Sequence, residues 1–589
     1  MTDLRNTPVI ILAAGRTPSW METLFGVSCV AMLPINGRPV IHWSLRYLKS
    51  IGCKTLKICI RSDELRLPDF VGRVFSDQFE IDFIHPDQDR GAGYSLNAAL
   101  KELQSDSDAL IILGDTLFSL PQGIEFDKEA SFVLVDQADR SSRWCVARLD
   151  KNGLIKEWIN NPTTNPDNLP ALIGVYYLHR IGLAQINLER CAAEQSGNLS
   201  ISDALDPYLC EGKGVVALHP SEWMDCGNFD LLTSSRQHLI QSRSFNTISI
   251  DSNKGTLTKT STDRKKFRNE INYYRLLPND LSLMFPRLID FNCEAAPLSM
   301  TLEYYPYPTL SEKLVFEELD ERWWKPVVSR LGVVIDSFAS HEAHFDSNLI
   351  SDFYWSKTLD RIDAFEAQNK ECLSLVRSDV MLINGEQYFG WNHLKPRFSA
   401  LLKFIGRNAK GAAIHGDFCF TNILIDPLTR IIKLIDPRGS LGETGIYGDL
   451  QYDAAKLLHS VHGGYDFIVH DMFSIERNSY GWKLDIFRSE SSRRVLSHLH
   501  EMLSERFNLH SVKLIESLLF LSMPPLHQDF PDRQTAMWVR GIQLANEALD
   551  SLGVIRFTKE IFQHDEFSLD IDSKDCPPFE QVEKSVLVD

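Results

Sequence analysis

The chain has 589 residues, of which 44% are hydrophobic and 24% charged; this is ordinary globular composition and excludes a disordered or fibrous protein. Its length is too great for one core, and we expect two or three domains. Lys and Arg number 61 against 79 Asp and Glu, a net charge of −18 that argues against a nucleic-acid partner, because an acidic surface repels phosphate.

The eleven cysteines form no C-x-x-C pair and no regular spacing, which predicts reduced thiols in a cytoplasmic protein. The first residues, MTDLRNTPVIILAAG, lack the charged head and long apolar stretch of a signal peptide. No run approaches the roughly 20 apolar residues that a membrane span needs. We therefore expect a soluble protein without a membrane span.

Strands and helices alternate over residues 8–240. The predicted strands are PVIILAA, TLKICI, DALIILGD, SFVLVDQ and ALIGVYYL, and the predicted helices include YSLNAALKELQS and PVIHWSLRYLKSIG, which places Ile41, Leu45 and Leu48 on one face. This alternation predicts an α/β domain with a mostly parallel sheet and with ligands at its carboxyl edge.

The pattern changes near residue 242. NTISI and TLTKTS predict a hairpin, and DRKKFRNEINYYRLLP predicts a helix that ends before Pro278. After about residue 310 we expect helices interrupted by one further hairpin, NILID with IIKLID. The predicted organisation is a first domain over 1–241, an α+β domain over 242–564, and a flexible tail over 565–589 with eight acidic and two basic residues.

A turn of small residues follows the first predicted strand: Leu12, Ala13, Ala14 and Gly15. Small residues let the backbone approach a ligand, so that N–H groups can hold phosphate oxygens. The alternative is that they only permit tight packing of the strand against a helix.

Two carboxylates are predicted at the same sheet edge. Asp115 ends the strand ALIILGD, and Asp225 lies in SEWMDCGNFDLL beside Gly227. Together they would hold a Mg²⁺ ion, which prefers hard oxygen ligands. The alternative is that each caps a helix.

The strings LAAG, LPINGRPVIHW, GDT, GVYYL and WMDCGNFD occur in this order over residues 8–240 and resemble the sugar-nucleotide pyrophosphorylases and related cytidylyltransferases. The resemblance implies a Rossmann-like nucleotidyltransferase fold. It also implies attack of a sugar-phosphate or alcohol-phosphate oxygen on the α-phosphorus of an NTP, with release of pyrophosphate. Asp115 and Asp225 would be the metal ligands, and the turn Leu12–Gly15 would lie against the nucleotide.

The sequence departs from that family at its basic positions. The family's Pro-Lys pair is replaced by Cys29-Val30, and Arg38 replaces a second lysine. Arg16 follows the turn directly and is our candidate for the charge that Val30 lacks. Either such cations do the work of the lysine, or this domain has an altered or lost activity.

The most specific string is His415-Gly416-Asp417, with Asn422 five residues after Asp417 and Asp436 fourteen residues later. Asn422 precedes the strand ILID and Asp436 follows the returning strand IIKLID, so that a hairpin brings them together at one end, as a Mg²⁺ site for ATP requires. Asp417 would be near enough to accept a proton from a hydroxyl, and His415 would brace the loop.

This H-G-D-x-x-x-x-N…I-D pattern resembles the aminoglycoside phosphotransferase and choline kinase family, which shares the protein-kinase fold. The resemblance covers about residues 245–560 and implies Asp417 as catalytic base, with Asn422 and Asp436 as Mg²⁺ ligands. IDPRG replaces the protein-kinase D-F-G string, which favours a small-molecule kinase. The alternative is a capped β-hairpin without chemistry.

Such a kinase also needs a lysine on a strand and a glutamate on the next helix. Lys259 in TLTKTS and Glu270 in RNEINYY are our candidates. Lys265 and Lys266 compete with Lys259, although both fall on the predicted helix. The alternative is that Lys259 is an ordinary surface lysine.

Further downstream, Asp449 or Asp453 is predicted to order the loop as a cap. His459 and His462 have helical spacing but no acid partner in the sequence pattern, and we expect them to be surface or satisfied polar residues.

Two site patterns on one chain predict a bifunctional transferase. A kinase would phosphorylate a small sugar or alcohol with ATP, and a nucleotidyltransferase would join the product to a second NTP, with Mg²⁺ at both sites. The activated product would serve surface-glycan (capsule) synthesis. The alternative is a small-molecule kinase whose first domain only binds a nucleotide or sugar phosphate. The sequence does not determine the oligomeric state, and a homo-oligomer is one of the states it allows.

Overall fold

The computed structural model describes residues 4–87, 90–121, 129–137, 144–160, 162, 168–194, 198–210, 214–227, 246–251, 253–294, 297–344, 351–438 and 445–555. The chain divides into two compact units, residues 1–240 and 241–589. The predicted boundary at 242 and the predicted tail from 565 lie outside the described residues. Within the described ranges, no helix is long and apolar enough to cross a membrane.

The described strands of the amino-terminal unit are β1 (Val9–Leu12), β2 (Pro34–Ile35), β3 (Arg38–Pro39), β4 (Thr55–Cys59), β5 (Glu80–Ile84), β6 (Ala109–Leu113), β7 (Thr116–Ser119), β8 (Ser131–Asp136), β9 (Cys145–Leu149), β10 (Ile155–Asn160), β11 (Ala171–Leu178), β12 (Val215–Leu218) and β13 (Glu222–Asp225). Its helices are α1 (Ser19–Phe25), α2 (Val40–Ser50), α3 (Arg66–Phe75), α4 (Ala92–Leu100), α5 (Gly182–Glu194) and α6 (Ile201–Leu205), with short 3-10 turns at Leu4–Asn6, Val30–Met32 and Asp206–Leu209.

A nine-stranded sheet forms the centre of this unit. Its main path is β10-β9-β11-β6-β1-β4-β5, and β8 pairs with β11 and β12. The segment β6-β1-β4-β5 is parallel, whereas β11 runs antiparallel to β6. All four residues of β1 are buried, as expected for a parallel strand covered on both faces. The predicted α/β fold class is confirmed for this unit.

Helix α2 follows the predicted pattern. Ile41, Leu45 and Leu48 are fully buried, because residues three and four apart share one face of a helix. The strands β7 and β13 pair outside the main sheet and place Asp225 opposite Thr116.

The carboxyl-terminal unit contains the strands β14 (Asn246–Asp251), β15 (Thr256–Ser261), β16 (Leu288–Asn292), β17 (Leu298–Glu303), β18 (Val380–Ile383), β19 (Glu386–Phe389), β20 (Gly411–Ala413), β21 (Ile423–Ile425), β22 (Ile432–Leu434), β23 (Tyr447–Asp449), β24 (Phe473–Asn478) and β25 (Gly481–Ile486). Its helices are α7 (Arg264–Leu276), α8 (Asn279–Ser282), α9 (Leu310–Phe316), α10 (Glu321–Ala339), α11 (Lys357–Glu366), α12 (Lys370–Val376), α13 (Trp391–Arg407), α14 (Leu450–Leu458), α15 (Tyr465–Val469), α16 (Glu490–Ser504), α17 (Leu509–Ser522) and α18 (Pro531–Ser551), with 3-10 or π turns at Ser351–Ser356, Phe420–Asn422, His459–Gly463 and Pro524–His527.

This unit begins with the antiparallel sheet β14-β15-β17-β16, which contains the predicted first hairpin. Strands β21 and β22 form the predicted second hairpin. The expectation of only one further hairpin is wrong, because β18 with β19 and β24 with β25 form another four-stranded sheet. Asn384 and Gly385, both at positive φ, close one of these hairpins. Its strands have only four residues each and lie between helices, so their pattern is weak.

Candidate active sites

The turn of small residues lies at the carboxyl end of β1. Gly114 donates its N–H to the carbonyl of Leu12 and Ala13 donates to that of Cys59, each at 2.9 Å, which ties the turn to the two neighbouring parallel strands. A Cβ atom added to Gly15 would meet nothing within 4 Å. The turn therefore has open space beside it at the sheet edge where ligands bind in α/β folds.

Arg61, which the sequence analysis missed, supports this turn. Its guanidinium donates to the carbonyls of Ala14 and Gly15 at 3.2 and 3.3 Å, and its Nε lies 2.9 Å from Asp63 Oδ1. The side chain is only 7% exposed. Arg61 follows strand β4, so its place at the carboxyl edge could have been read from the sequence. It fixes the turn, while its own charge is paired with Asp63 and Glu64.

Arg16 lies beside the position where the resemblance expects a lysine. Its backbone forms a β-bridge with Cys29, the residue before Val30. Its guanidinium is exposed and lies 3.1 Å from Asp63 Oδ2. Arg38 lies on β3 and donates to the carbonyl of the preceding residue at 2.9 Å. Of the two arginines, Arg16 is thus the one bridged to the residue before Val30.

The two predicted carboxylates converge. A Cβ atom on Gly227 would lie 2.7 Å from Asp115 Oδ2 and 3.1 Å from Asp225 Oδ1, so both oxygens border a space that only glycine leaves open. Gly227 also donates its N–H to Asp225 Oδ1 at 2.5 Å. Asp115 lies two residues beyond β6, and burial raises its pKa. It is followed by β7 and not by a helix, so the helix-cap alternative does not apply to Asp115.

This pair of oxygens fits a Mg²⁺ ion. Hard carboxylate oxygens are the ligands that Mg²⁺ takes from proteins, usually one or two per site. In the part of the chain that the structure describes, no group of three or more His, Cys, Asp or Glu side chains is placed to hold a metal. The remaining ligands would therefore come from nucleotide phosphates and water.

In the carboxyl-terminal unit, Lys259 joins two of the predicted acids. Its Nζ lies 2.7 Å from Glu270 Oε1 and 3.0 Å from Asp436 Oδ1. Lys259 projects from β15 and Glu270 from α7, and their side chains are 9% and 11% exposed. Burial disfavours the charged lysine, but the two carboxylates outweigh it and raise the pKa of Lys259. Lys265 and Lys266 lie on α7, as expected.

The loop around His415 is held from several sides. His415 and Gly416 donate their backbone N–H groups to Asp453 at 2.6 and 2.8 Å. His415 Nε2 lies 3.1 Å from the carbonyl of Ile435, and its Nδ1 accepts from the backbone N–H of Asp417 at 3.2 Å. Burial lowers the pKa of His415 to about 4, so the ring is neutral at pH 7. This geometry suits a bracing role.

The predicted magnesium ligands lie next to this loop. Asn422 donates its side-chain N–H to the carbonyl of Asp417 at 2.9 Å, and Ile435 donates its backbone N–H to the carbonyl of Asn422 at 3.0 Å. Asp436 follows at once, with a positive φ of 53°. The hairpin thus places Asn422 and Asp436 together, and their oxygens fit a Mg²⁺ ion by donor type.

Lys456 is the second functional candidate that sequence reasoning missed. It projects from α14 and its Nζ lies 2.9 Å from Asp417 Oδ1. Burial would raise the pKa of Asp417, but the charge and hydrogen bond of Lys456 outweigh it and hold that pKa well below its ordinary value. The contact spans 39 residues, and local spacing gives no sign of it.

Two acids, Asp449 and Asp453, and two histidines, His459 and His462, follow this loop along the chain. Asp449 caps α14 by accepting from the N–H of Gln451 at 3.1 Å, so Asp449 and Asp453 both order this region. The expectation of a surface or satisfied polar residue is wrong for His459, whereas His462 is a satisfied polar residue as expected. His459 is fully buried, and among the described residues its ring nitrogens have no hydrogen-bond partner. His462 Nδ1 has an acid partner, Glu516 Oε2, at 2.8 Å, because α17 brings a distant residue to it.

Comparison with known proteins gives a family match within the amino-terminal unit. Residues 9–126 match the family model described as a MobA-like NTP transferase domain. A bifunctional sugar-1-phosphate nucleotidylyltransferase/acetyltransferase from Sulfurisphaera tokodaii is 25% identical over 221 residues, which are 37% of this chain and 51% of that protein. The chain thus spans about half the length of this curated relative.

Two solved structures are similar at low identity. A protein from Bacillus anthracis described as a glucose-1-phosphate thymidylyltransferase has a TM-score of 0.35 and 22% identity, over 40% of this chain and 96% of that one. A UDP-glucose pyrophosphorylase complexed with UDP-glucose has a TM-score of 0.33 and 18% identity, over 40% and 99%. By its family match, the amino-terminal unit contains a region, residues 9–126, that is similar to an NTP transferase domain.

Proposed function

We propose that the chain is a bifunctional transferase. The carboxyl-terminal unit phosphorylates a hydroxyl of a small sugar or alcohol with ATP. The amino-terminal unit then transfers a nucleotidyl group from a second NTP to that phosphate. The name of the Sulfurisphaera relative supports a sugar 1-phosphate as the acceptor. An NDP-activated sugar or alcohol of this kind would serve surface-polysaccharide synthesis.

For the first activity, the supporting geometry is the pair Asp115 and Asp225 beside Gly227. An oxygen of the acceptor phosphate attacks the α-phosphorus of the NTP, and the bond from that phosphorus to the pyrophosphate oxygen breaks. Both aspartates would hold a Mg²⁺ ion, which when bound neutralises phosphate charge. Arg61 orients the turn against the nucleotide, and Arg16 offsets charge on the departing pyrophosphate.

The kinase activity rests on one observation above all: Lys259 contacts both Glu270 and Asp436. A strand lysine held by a helix glutamate, beside an acid that follows a hairpin, is the arrangement that protein-kinase-like enzymes use around ATP phosphates. We accordingly propose a protein-kinase-like fold of the aminoglycoside phosphotransferase type for residues 242–564. The sheet β14–β17 with α7 would form its smaller lobe.

In phosphoryl transfer, the acceptor hydroxyl oxygen attacks the γ-phosphorus and the bond to the leaving oxygen of ADP breaks. Asp417 accepts the hydroxyl proton. Because Lys456 lowers the pKa of Asp417, the carboxylate is ionised at neutral pH and is available to accept this proton. Asn422 and Asp436 would hold Mg²⁺ on the ATP phosphates, where the ion neutralises charge.

A screen of sugars and alcohols against the intact chain tests both halves, with ADP and pyrophosphate release measured separately. We expect ADP release with one acceptor and pyrophosphate release with the phosphorylated form of the same acceptor. A second candidate is a kinase whose first unit is only a nucleotide or sugar-phosphate sensor, and Val30 favours it. Nucleotide binding without pyrophosphate from any of the four NTPs would establish the sensor.

A further inference from the structure

Four basic side chains converge beside Asp417. Lys357 and Arg361 lie one turn apart on α11, Lys456 lies on α14, and Arg438 lies just beyond the end of β22. We call these four residues the basic cluster. Lys456 contacts Asp417 directly, and Arg361 lies within electrostatic reach of Asp417 and Arg438.

Aromatic side chains connect the members of the basic cluster. Lys357 Nζ lies 3.4 Å from the hydroxyl of Tyr452 and 5.3 Å from the ring centre of Phe353. The guanidinium of Arg438 lies 5.1 Å from the same Phe353 ring. Burial and the neighbouring cations lower the pKa of Lys357 to about 8. In Tyr452 the cations outweigh burial and lower the phenol pKa to about 8.

Fewer carboxylates than basic side chains form ion pairs at the basic cluster in the described part of this unit. Within the described ranges, Lys456 is the one member of the basic cluster that forms an ion pair with a carboxylate. The acids on or beside α14 are engaged elsewhere: Asp453 accepts from backbone N–H groups and Asp449 from the hydroxyl of Tyr354. Like charges grouped in a partly buried region repel one another, and a bound anion would relieve that cost.

We propose that the basic cluster binds an anionic group, a carboxylate or a phosphate, on the same alcohol whose hydroxyl meets Asp417. This inference rests on the proposed phosphotransferase function and names its substrate class. Arg361 and Arg438 offer forked donors that match oxyanion geometry, and Lys357 adds a point charge. With the anion held there, a hydroxyl elsewhere on the molecule reaches Asp417. A cationic amino alcohol would be repelled from the same place.

The test uses the intact chain saturated with Mg²⁺ and AMP-PNP, which occupies the nucleotide site. Inorganic phosphate, acetate and tetramethylammonium are then titrated in separately by calorimetry. We expect saturable binding of at least one of the two anions and none of the cation. Phosphate binding alone would identify a phosphorylated alcohol, and acetate binding a hydroxy acid.

Substitutions test whether the anion binding measured by calorimetry occurs at the basic cluster. Arg361→Gln should weaken anion binding at least about tenfold, since a charge-assisted hydrogen bond is lost, and Arg361→Lys should restore part of it. Arg477→Gln is the matched control, because Arg477 is an exposed arginine of the same unit on β24. Lys357→Met repeats the test if circular dichroism reveals that Arg361→Gln misfolds.

Several results would overturn the inference: absence of saturable binding for both anions, an equal loss in Arg477→Gln, or binding of tetramethylammonium. A loss of AMP-PNP affinity in Arg361→Gln with unchanged anion binding would assign the basic cluster to the nucleotide instead. If AMP-PNP does not bind the wild-type chain, the proposed kinase activity fails. The anion titration of the nucleotide-free chain then still decides whether the basic cluster binds an anion, and absence of binding there would overturn that part of the inference separately.

Discussion

Removal of Lys456 should shift the pH dependence of the kinase reaction. Lys456 Nζ lies 2.9 Å from Asp417 Oδ1, and the lysine side chain is 8% exposed, so the ion pair is partly shielded from water. An opposite charge at this distance lowers a carboxyl pKa by roughly 1–3 units. Lys456→Met removes the largest contribution that lowers the pKa of Asp417 and leaves burial, which raises it, so the pKa of Asp417 should rise.

The sign of the effect follows from the role of Asp417. The base works when ionised, so activity is lost as the pH falls through its pKa. Wild-type activity should therefore persist to low pH, and the acid limb of kcat/KM in Lys456→Met should lie about 1–3 pH units higher. ADP release with the acceptor found by screening measures this. Lys483→Met, an exposed lysine of β25, is the control. An unchanged acid limb in a folded Lys456→Met variant would refute the assigned role of the ion pair.

Three further predictions concern the two sites. Asp417→Asn should lower kinase turnover by about 10²–10⁴-fold, the scale of a lost general base. Pyrophosphate release from supplied phosphorylated acceptor should stay at the wild-type rate. Kinase turnover at the wild-type rate would show that Asp417 is not the base. Asp115→Ala and Asp225→Ala should each abolish pyrophosphate release and leave ADP formation intact, and loss of both activities in a folded variant would contradict the independence of the sites. Arg16→Ala should reduce nucleotidyl transfer on the order of 10²-fold in a steady-state pyrophosphate assay. Arg38→Ala should reduce it less, since Arg16 is the arginine bridged to the residue before Val30. Equal rates for Arg16→Ala and wild type would exclude Arg16 as the replacement cation.

Local sequence patterns predicted the elements that position the sites. The apolar run of β1 and the spacing of Ile41, Leu45 and Leu48 each carry a period that identifies a buried strand or one helix face. The approach of Asn422 to Asp436 was also predictable, because a hairpin joins the ends of consecutive strands. The short hairpin closed by Asn384 was missed, although its turn has a recognisable sequence.

Contacts between distant elements were harder to foresee. Lys456 meets Asp417 only because α14 packs beside the loop. The charges of Lys456 and Asp417 shift the pKa of each partner against the effect of burial, and a local pattern does not record this. His462 illustrates the same limit, since its partner Glu516 is 54 residues away.

The most direct test of the central claim is the formation of an NDP product by the intact chain from ATP, a second NTP and an unphosphorylated acceptor. Our account predicts that the wild-type chain forms it, that Asp417→Asn forms it only when the phosphorylated acceptor is supplied, and that Asp115→Ala releases ADP but forms no NDP product under either condition. If the wild-type chain releases ADP and yet makes no NDP product from its own phosphorylated acceptor with any NTP, the claim of two consecutive transferase activities is contradicted.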